Sequence, residues 1–128
     1  MAFNNFEIDE APCDADVCAV RDTLTVIGGK WKSIILHTIH IEEIVRFNQL
    51  KKLLPEISQK MLTQQLRELE RDGLIIRIDF GELPARVEYS LSDLGKKAGQ
   101  LFKIINSWQK QFLPEVESHR IQYDLKHD

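Results

Sequence analysis

The chain has 128 residues, 43% of them hydrophobic and 29% charged, with a net charge of −3. That is the size of one domain, long enough to bury about two-thirds of the surface its unfolded chain exposes. No run approaches the ~20 apolar residues that span a bilayer, and two cysteines are too few for a disulfide scaffold.

Residues 1–12 read as a loose arm ending at Pro12. The stretch as far as Cys18 carries Glu7, Asp9, Glu10, Asp14 and Asp16 and no Lys or Arg. Neither a secretory signal nor a mitochondrial transit peptide has that composition, so a cytoplasmic location without membrane association is expected. Asp14 or Asp16 caps a first helix, in which Val17, Val20, Leu24 and Ile27 give the spacing of an apolar stripe. Gly28-Gly29 ends it. A second helix over about residues 30–40 sets Trp31, Ile34, Ile35, Thr38 and Ile39 on one side. Residues 44–47 read as a very short strand or extended link. Phe47, Leu50, Leu53 and Leu54 fit a short third helix that Pro55 stops.

A fourth helix spans residues 58–72, with Ser58 as N-cap and Gly73 as stop. Two β-type runs follow, residues 74–79 and 86–91, around a loop holding Gly81 and Pro84. That is a hairpin with a loop too long for a tight turn. Ser92 caps a last helix, where Leu94, Ala98, Leu101, Phe102, Ile105, Trp108 and Phe112 recur at intervals of mostly three and four, up to Pro114. Residues 115–128 read as a charged, frayed tail, which leaves 13–114 as the folded domain. The predicted class is mostly α with a small β-hairpin: a winged helix-turn-helix.

The fourth helix carries the functional signal. On a wheel at ~100° per residue, Leu62, Leu66 and Leu69 form an anchoring stripe. Lys60, Thr63, Gln64, Arg67 and Arg71 occupy about 100° on the other side, with Glu68 and Glu70 outside that arc. Arg bonds a guanine edge in bidentate fashion, Gln an adenine edge, and Thr offers a hydroxyl and a methyl. Lys60 suits phosphate, as do the free N–H groups and positive dipole end of the first turn, at Ser58 and Gln59. Any amphipathic helix has a solvated face, which is the alternative reading; the hairpin directly after this helix favours DNA.

Further candidate contacts are Arg86 beside the wing tip, and Lys30 and Lys32 flanking Trp31. Arg in a wing is drawn to the negative potential of a narrow minor groove. Its alternative is a surface ion pair with Glu82 or Glu88, and the two lysines are otherwise solvated. The charge distribution agrees with a basic face: residues 1–18 hold five acids and no base, while residues 19–113 hold 15 Lys and Arg against 11 Asp and Glu, a net of +4. So modest a charge calls for two copies. The stripe Leu101, Phe102, Ile105, Trp108 and Phe112 is the expected homodimer interface, with packing inside one subunit as the alternative. Two recognition helices ~34 Å apart, or a multiple, would then read a pseudo-palindrome.

His37 and His40 lack a third ligand, so neither metal nor cofactor is expected. The chain has no G-x-S-x-G, no P-loop and no H-E-x-x-H, and an enzyme is not expected. The rival is a winged-helix protein-interaction module that never touches DNA, since fold does not fix function. The acid-free face on the fourth helix stands against it.

Five blocks occur in order: Gly28-Gly29-Lys30-Trp31-Lys32; Arg46-Phe47-Asn48-Gln49-Leu50; the 13 residues from Ile57 to Leu69; Asp72-Gly73-Leu74; and Arg86-Val87-Glu88-Tyr89-Ser90-Leu91. Over about residues 18–112 the chain resembles the HxlR-type regulators, MarR-like winged-helix proteins of bacteria and archaea. The block from Ile57 is the most specific. The resemblance implies a dimeric repressor or activator, with the helix after Ser58 in the major groove, the hairpin as wing, and the first and last helices at the interface. Two departures stand out. Glu42-Glu43-Ile44-Val45 replaces the usual Gly-Pro or similar turn, and Pro84-Ala85 replaces a Pro-Pro pair in the wing.

Cys18 stands where many members of that family have a single cysteine, which in some senses electrophiles, aldehydes or oxidants. The resemblance makes Cys18 a candidate sensor and a small molecule or electrophile the candidate effector, with Cys13 a weaker candidate for a resolving partner. Arg21 would favour the thiolate, and Asp14 and Asp16 would oppose it. The alternative is a buried structural cysteine.

Overall fold

The structure, a computed structural model, describes residues 15–127. The expected arm, Cys13 and the cap at Asp14 lie outside the described residues. Eight elements follow in order: α1 (Ala15–Ile27), α2 (Lys32–Glu42), β1 (Val45–Arg46), α3 (Phe47–Leu53), α4 (Gln59–Arg71), β2 (Ile75–Asp79), β3 (Val87–Leu91) and α5 (Asp93–His127). The strands make an antiparallel sheet in the order β1-β3-β2, with Val45 opposite Tyr89 and Ile75 opposite Leu91.

The core forms where α2, α3, α4 and the base of the sheet meet. Ile35, Leu36 and Ile39 of α2, Leu50 of α3, Leu62, Leu66 and Leu69 of α4, and Val45, Ile75 and Tyr89 of the sheet are buried together. Each such side chain contributes about 1.5–3 kcal/mol by leaving water. The inward side of α2 is offset from the predicted one: Leu36 is buried and Ile34 is exposed.

The chain leaves α2 through a turn that explains the first departure from the family pattern. Glu43 adopts φ 65° and ψ −57°, and the Ile44 N–H donates to the Glu42 carbonyl oxygen at 2.8 Å. This is a γ-turn, a strained conformation at a residue with a Cβ. It delivers Val45 directly into pairing with β3.

The end of α4 and the start of α5 are joined. Gly73, at φ 80°, takes the left-handed conformation that stops α4. Gly95 sits in the first turn of α5, where a Cβ would meet the Leu74 carbonyl oxygen. The chain can therefore pass from wing to α5 in close backbone contact with the foot of β2.

Two expectations for the last helix are corrected. It does not end at Pro114: α5 runs 35 residues to His127 with Pro114 inside it, about 50 Å at 1.5 Å per residue. A proline interior to a helix removes one hydrogen bond, but Glu115, Glu117, Arg120, Gln122, Leu125 and Lys126 beyond it are good helix formers. Two pairs one turn apart support them, Glu115 with His119 at 3.9 Å and the stacked rings of Tyr123 and His127 at 4.0 Å. The second correction is Phe102, which turns inward and packs against the subunit's own core instead of lying wholly on an outer face.

Candidate DNA-binding interface

The Ser58 hydroxyl starts α4 by accepting the Met61 N–H at 3.1 Å. This is the N-cap bond expected of serine, and it commits that oxygen to the helix. Leu62, Leu66 and Leu69 fix the helix against the core. Gln59, Lys60, Thr63, Gln64, Arg67 and Glu68 then line one open concave surface. Lys60, Gln64 and Arg67 are exposed, and Thr63 is half-buried. Lysine, amide, hydroxyl and guanidinium thus stand within two turns of one rigid helix, the donor and acceptor types that base edges require.

Besides Ser58, five predicted contacts, Gln59, Lys30, Lys32, Arg71 and Arg86, have partners within the chain. Arg71 makes a two-pronged contact with its neighbour, Nε to Asp72 Oδ1 at 2.9 Å and Nη2 to Oδ2 at 3.2 Å. The pair raises the Arg71 pKa and holds the Asp72 carboxyl below the ordinary carboxylate range, the Arg71 hydrogen bond being the main cause. Arg86 is folded back on the wing: its guanidinium lies 3.9 Å above the Phe80 ring centroid and within 3.3 Å of Glu88 and 3.6 Å of Glu82. Lys30 is exposed, with Nζ 4.9 Å from the Trp31 ring centre. Trp31 packs against the core as expected.

Lys32 is a correction. It is only 7% exposed, so it does not present its ammonium to phosphate. Its Nζ reaches Glu68 Oε2 at 3.7 Å and the Thr25 carbonyl oxygen at 3.3 Å. Glu68 is a second one: the wheel sets it outside the polar arc, yet its side chain lines the same concavity. Long side chains reach beyond the angular position of their Cα.

One residue escaped the sequence reading. Lys51, in the last turn of α3, donates to Gln59 Oε1 at 3.1 Å, which sets a cation at the entrance of α4. The signal was available: in a helix-turn-helix the end of one helix adjoins the start of the next.

Leu101, Ile105 and Trp108 of α5 are exposed, the tryptophan by 41%. Phe112 is half-buried, its ring 5.5 Å from that of Trp108. Val20 and Leu24 of α1 are also exposed, while Ile27 of the same predicted stripe is buried in the core. Cys18 is half-buried on α1, with Arg21 Nη2 at 3.7 Å from its Sγ. Among the described residues, no group of three or more His, Cys, Asp or Glu could hold a metal ion, and no helix is long and apolar enough to cross a membrane.

The family model for HxlR-like helix-turn-helix proteins matches residues 26–117, the whole of the winged unit from the end of α1 into α5. The chain belongs to the HxlR-like helix-turn-helix family. Among relatives of this HxlR-like protein, the transcriptional regulator YdeP of Bacillus subtilis (strain 168) is 42% identical over 110 residues, covering 86% of this chain and 85% of YdeP. YtcD of the same organism is 50% identical over 99 residues, 77% of each chain. Two solved structures show the same arrangement. The redox regulator HypR in its reduced form superposes with a TM-score of 0.71 at 40% identity, over 78% of this chain and 98% of HypR. The reduced form of the transcriptional regulator YodB from B. subtilis gives 0.67 at 30% identity, over 73% of this chain and 91% of YodB. This HxlR-like chain is a DNA-binding transcriptional regulator with a winged helix-turn-helix, in which α3 and α4 are the two helices and β2–β3 the wing.

Proposed function

We propose that the protein is a sequence-specific repressor that binds a pseudo-palindromic operator as a homodimer, without a catalytic step of its own. The observation that carries this reading is the surface of α4, where exposed Lys60, Gln64 and Arg67 and half-buried Thr63 sit on a helix pinned by three buried leucines. A reader of base edges needs both parts, the donors and a rigid mount. Arg67 and Gln64 read bases, while Lys60, Lys51 and the first turn of α4 meet phosphate. Support for the dimer comes from the exposed apolar side chains Val20 and Leu24 on α1 and Leu101, Ile105 and Trp108 on α5. Large apolar side chains left in water in such number favour a partner surface that covers them.

The effector reading rests on Cys18 and on likeness to the redox regulator HypR. Arg21 beside the sulfur favours the thiolate, the nucleophilic form. Modification of Cys18 by an electrophile or oxidant on α1 then alters DNA binding. The experiment is a binding selection from random duplex DNA with the purified full chain under reducing conditions. Enrichment of a site with two-fold symmetry supports the reading; enrichment of nothing, reduced or oxidised, contradicts it.

A further inference from the structure

Lys32 is the only polar or charged residue buried among the described residues. Taking an ammonium out of water is costly, and an apolar side chain of the same length would fill the space without that cost. Its partners indicate what the charge does. One is the Thr25 carbonyl oxygen at 3.3 Å, in the last turn of α1, where a helix leaves carbonyls without intrahelical donors and its dipole is negative. The other is Glu68 Oε2 at 3.7 Å, on α4. The same oxygen accepts from Gln65 Nε2 at 3.3 Å.

Glu68 is the one acidic side chain among those lining the concave surface with Gln59, Lys60, Thr63, Gln64 and Arg67. An uncompensated carboxylate there would repel the phosphates that the neighbouring cations attract. We infer that Lys32 is a positioning residue for DNA binding: from behind the recognition helix it neutralises Glu68 and ties α4 to the C-terminal turn of α1. The charge of Lys32 also extends one turn further along α4, where it adds a small share to the lowered pKa of Asp72. The inference rests on the reading that the polar face of α4 meets DNA.

The test measures affinity for the selected operator duplex, by fluorescence anisotropy, together with the melting temperature of each full-length variant. Lys32→Met is expected to bind about tenfold or more weakly, because it strands the carboxylate. Glu68→Gln is expected to bind about twofold more tightly, and Lys32→Met/Glu68→Gln to recover to within about threefold of wild type, a coupling that independent sites do not show. If Lys32→Met fails to fold, Lys32→Gln with and without Glu68→Gln makes the same comparison. Equal losses in the single and double variants, following the fall in melting temperature, would mean a merely structural lysine and overturn the inference, as would wild-type affinity in Lys32→Met. Arg67→Ala separates the two failures. If it binds the operator like wild type, the reading of α4 fails and the inference with it. If it binds weakly while Lys32→Met does not, only the inference falls.

Discussion

The Ser92 hydroxyl donates to the Gly73 carbonyl oxygen at 2.6 Å and accepts the Gly95 N–H at 3.0 Å. One side chain therefore closes the recognition helix and opens α5, across 19 residues of chain that hold the entire wing. It joins the end of α4 to the start of α5, the helix with exposed apolar side chains. Ser92→Ala removes both bonds and leaves a helix start and a turn carbonyl without partners. The expected loss is about 1–2 kcal/mol, read as a lower midpoint in urea with an unchanged slope. An unchanged midpoint would show that water replaces the hydroxyl at no cost.

The Arg71–Asp72 pair predicts how stability responds to acid. Hydrogen bonding to Arg71 lowers the Asp72 pKa in the folded state. A carboxylate of that kind stabilises fully above its unfolded value, ~4, and loses the contribution as pH falls through its lower folded value. Asp72→Asn is expected to melt below wild type at pH 7, with a gap that narrows on acidification and closes at pH values below both. A gap that is constant across that range would assign the effect to something other than titration of Asp72.

Trp108 stands in the middle of the exposed stripe on α5, between Ile105 one turn earlier and Phe112 one turn later. A charge placed there cannot be buried without a partner, and each member of a two-fold pair would carry one. Trp108→Asp is expected to yield monomers in light scattering while the helical circular dichroism remains. Tight operator binding should be lost in parallel. A dimer that survives the substitution would place the interface elsewhere.

For the thiol, the expectation is that diamide lowers operator affinity of the wild type, that a reductant restores it, and that Cys18→Ser responds to neither. Mass spectrometry fixes whether Cys18 has reacted. Complete modification with unchanged affinity would remove Cys18 from regulation.

Most of what builds the reading head is local in sequence, and so it was legible. Ser58 capping, leucines at 62, 66 and 69, and the stop at Gly73 lie within 16 residues and obey one helical period. The hairpin declares itself through two β-type runs around a Gly and Pro loop. The features that were missed depend on partners far along the chain. Lys32, beside Trp31 at a helix start, looks like any solvated lysine, because nothing local announces that Glu68 will lie 3.7 Å away. Arg86 could go either to a groove or to its neighbours, and its position over Phe80 follows from the curl of the wing loop. Phe102 and Leu101 are adjacent in one stripe, and only the placement of α5 on the core decides which faces in. Pro114 reads as a stop by the rule that holds for most helices, but α5 continues through it, with good helix formers such as Lys110, Gln111, Glu115 and Glu117 on both sides.

The measurement closest to the central claim is the affinity of Arg67→Ala/Gln64→Ala for the selected operator and for a scrambled duplex of equal length, at one salt concentration. If α4 reads the bases, the double variant should lose about tenfold to a few hundredfold on the operator. On the scrambled duplex, where phosphate contacts dominate, it should lose far less. Equal binding of wild type and variant on the operator would contradict the claim that this face of α4 reads DNA.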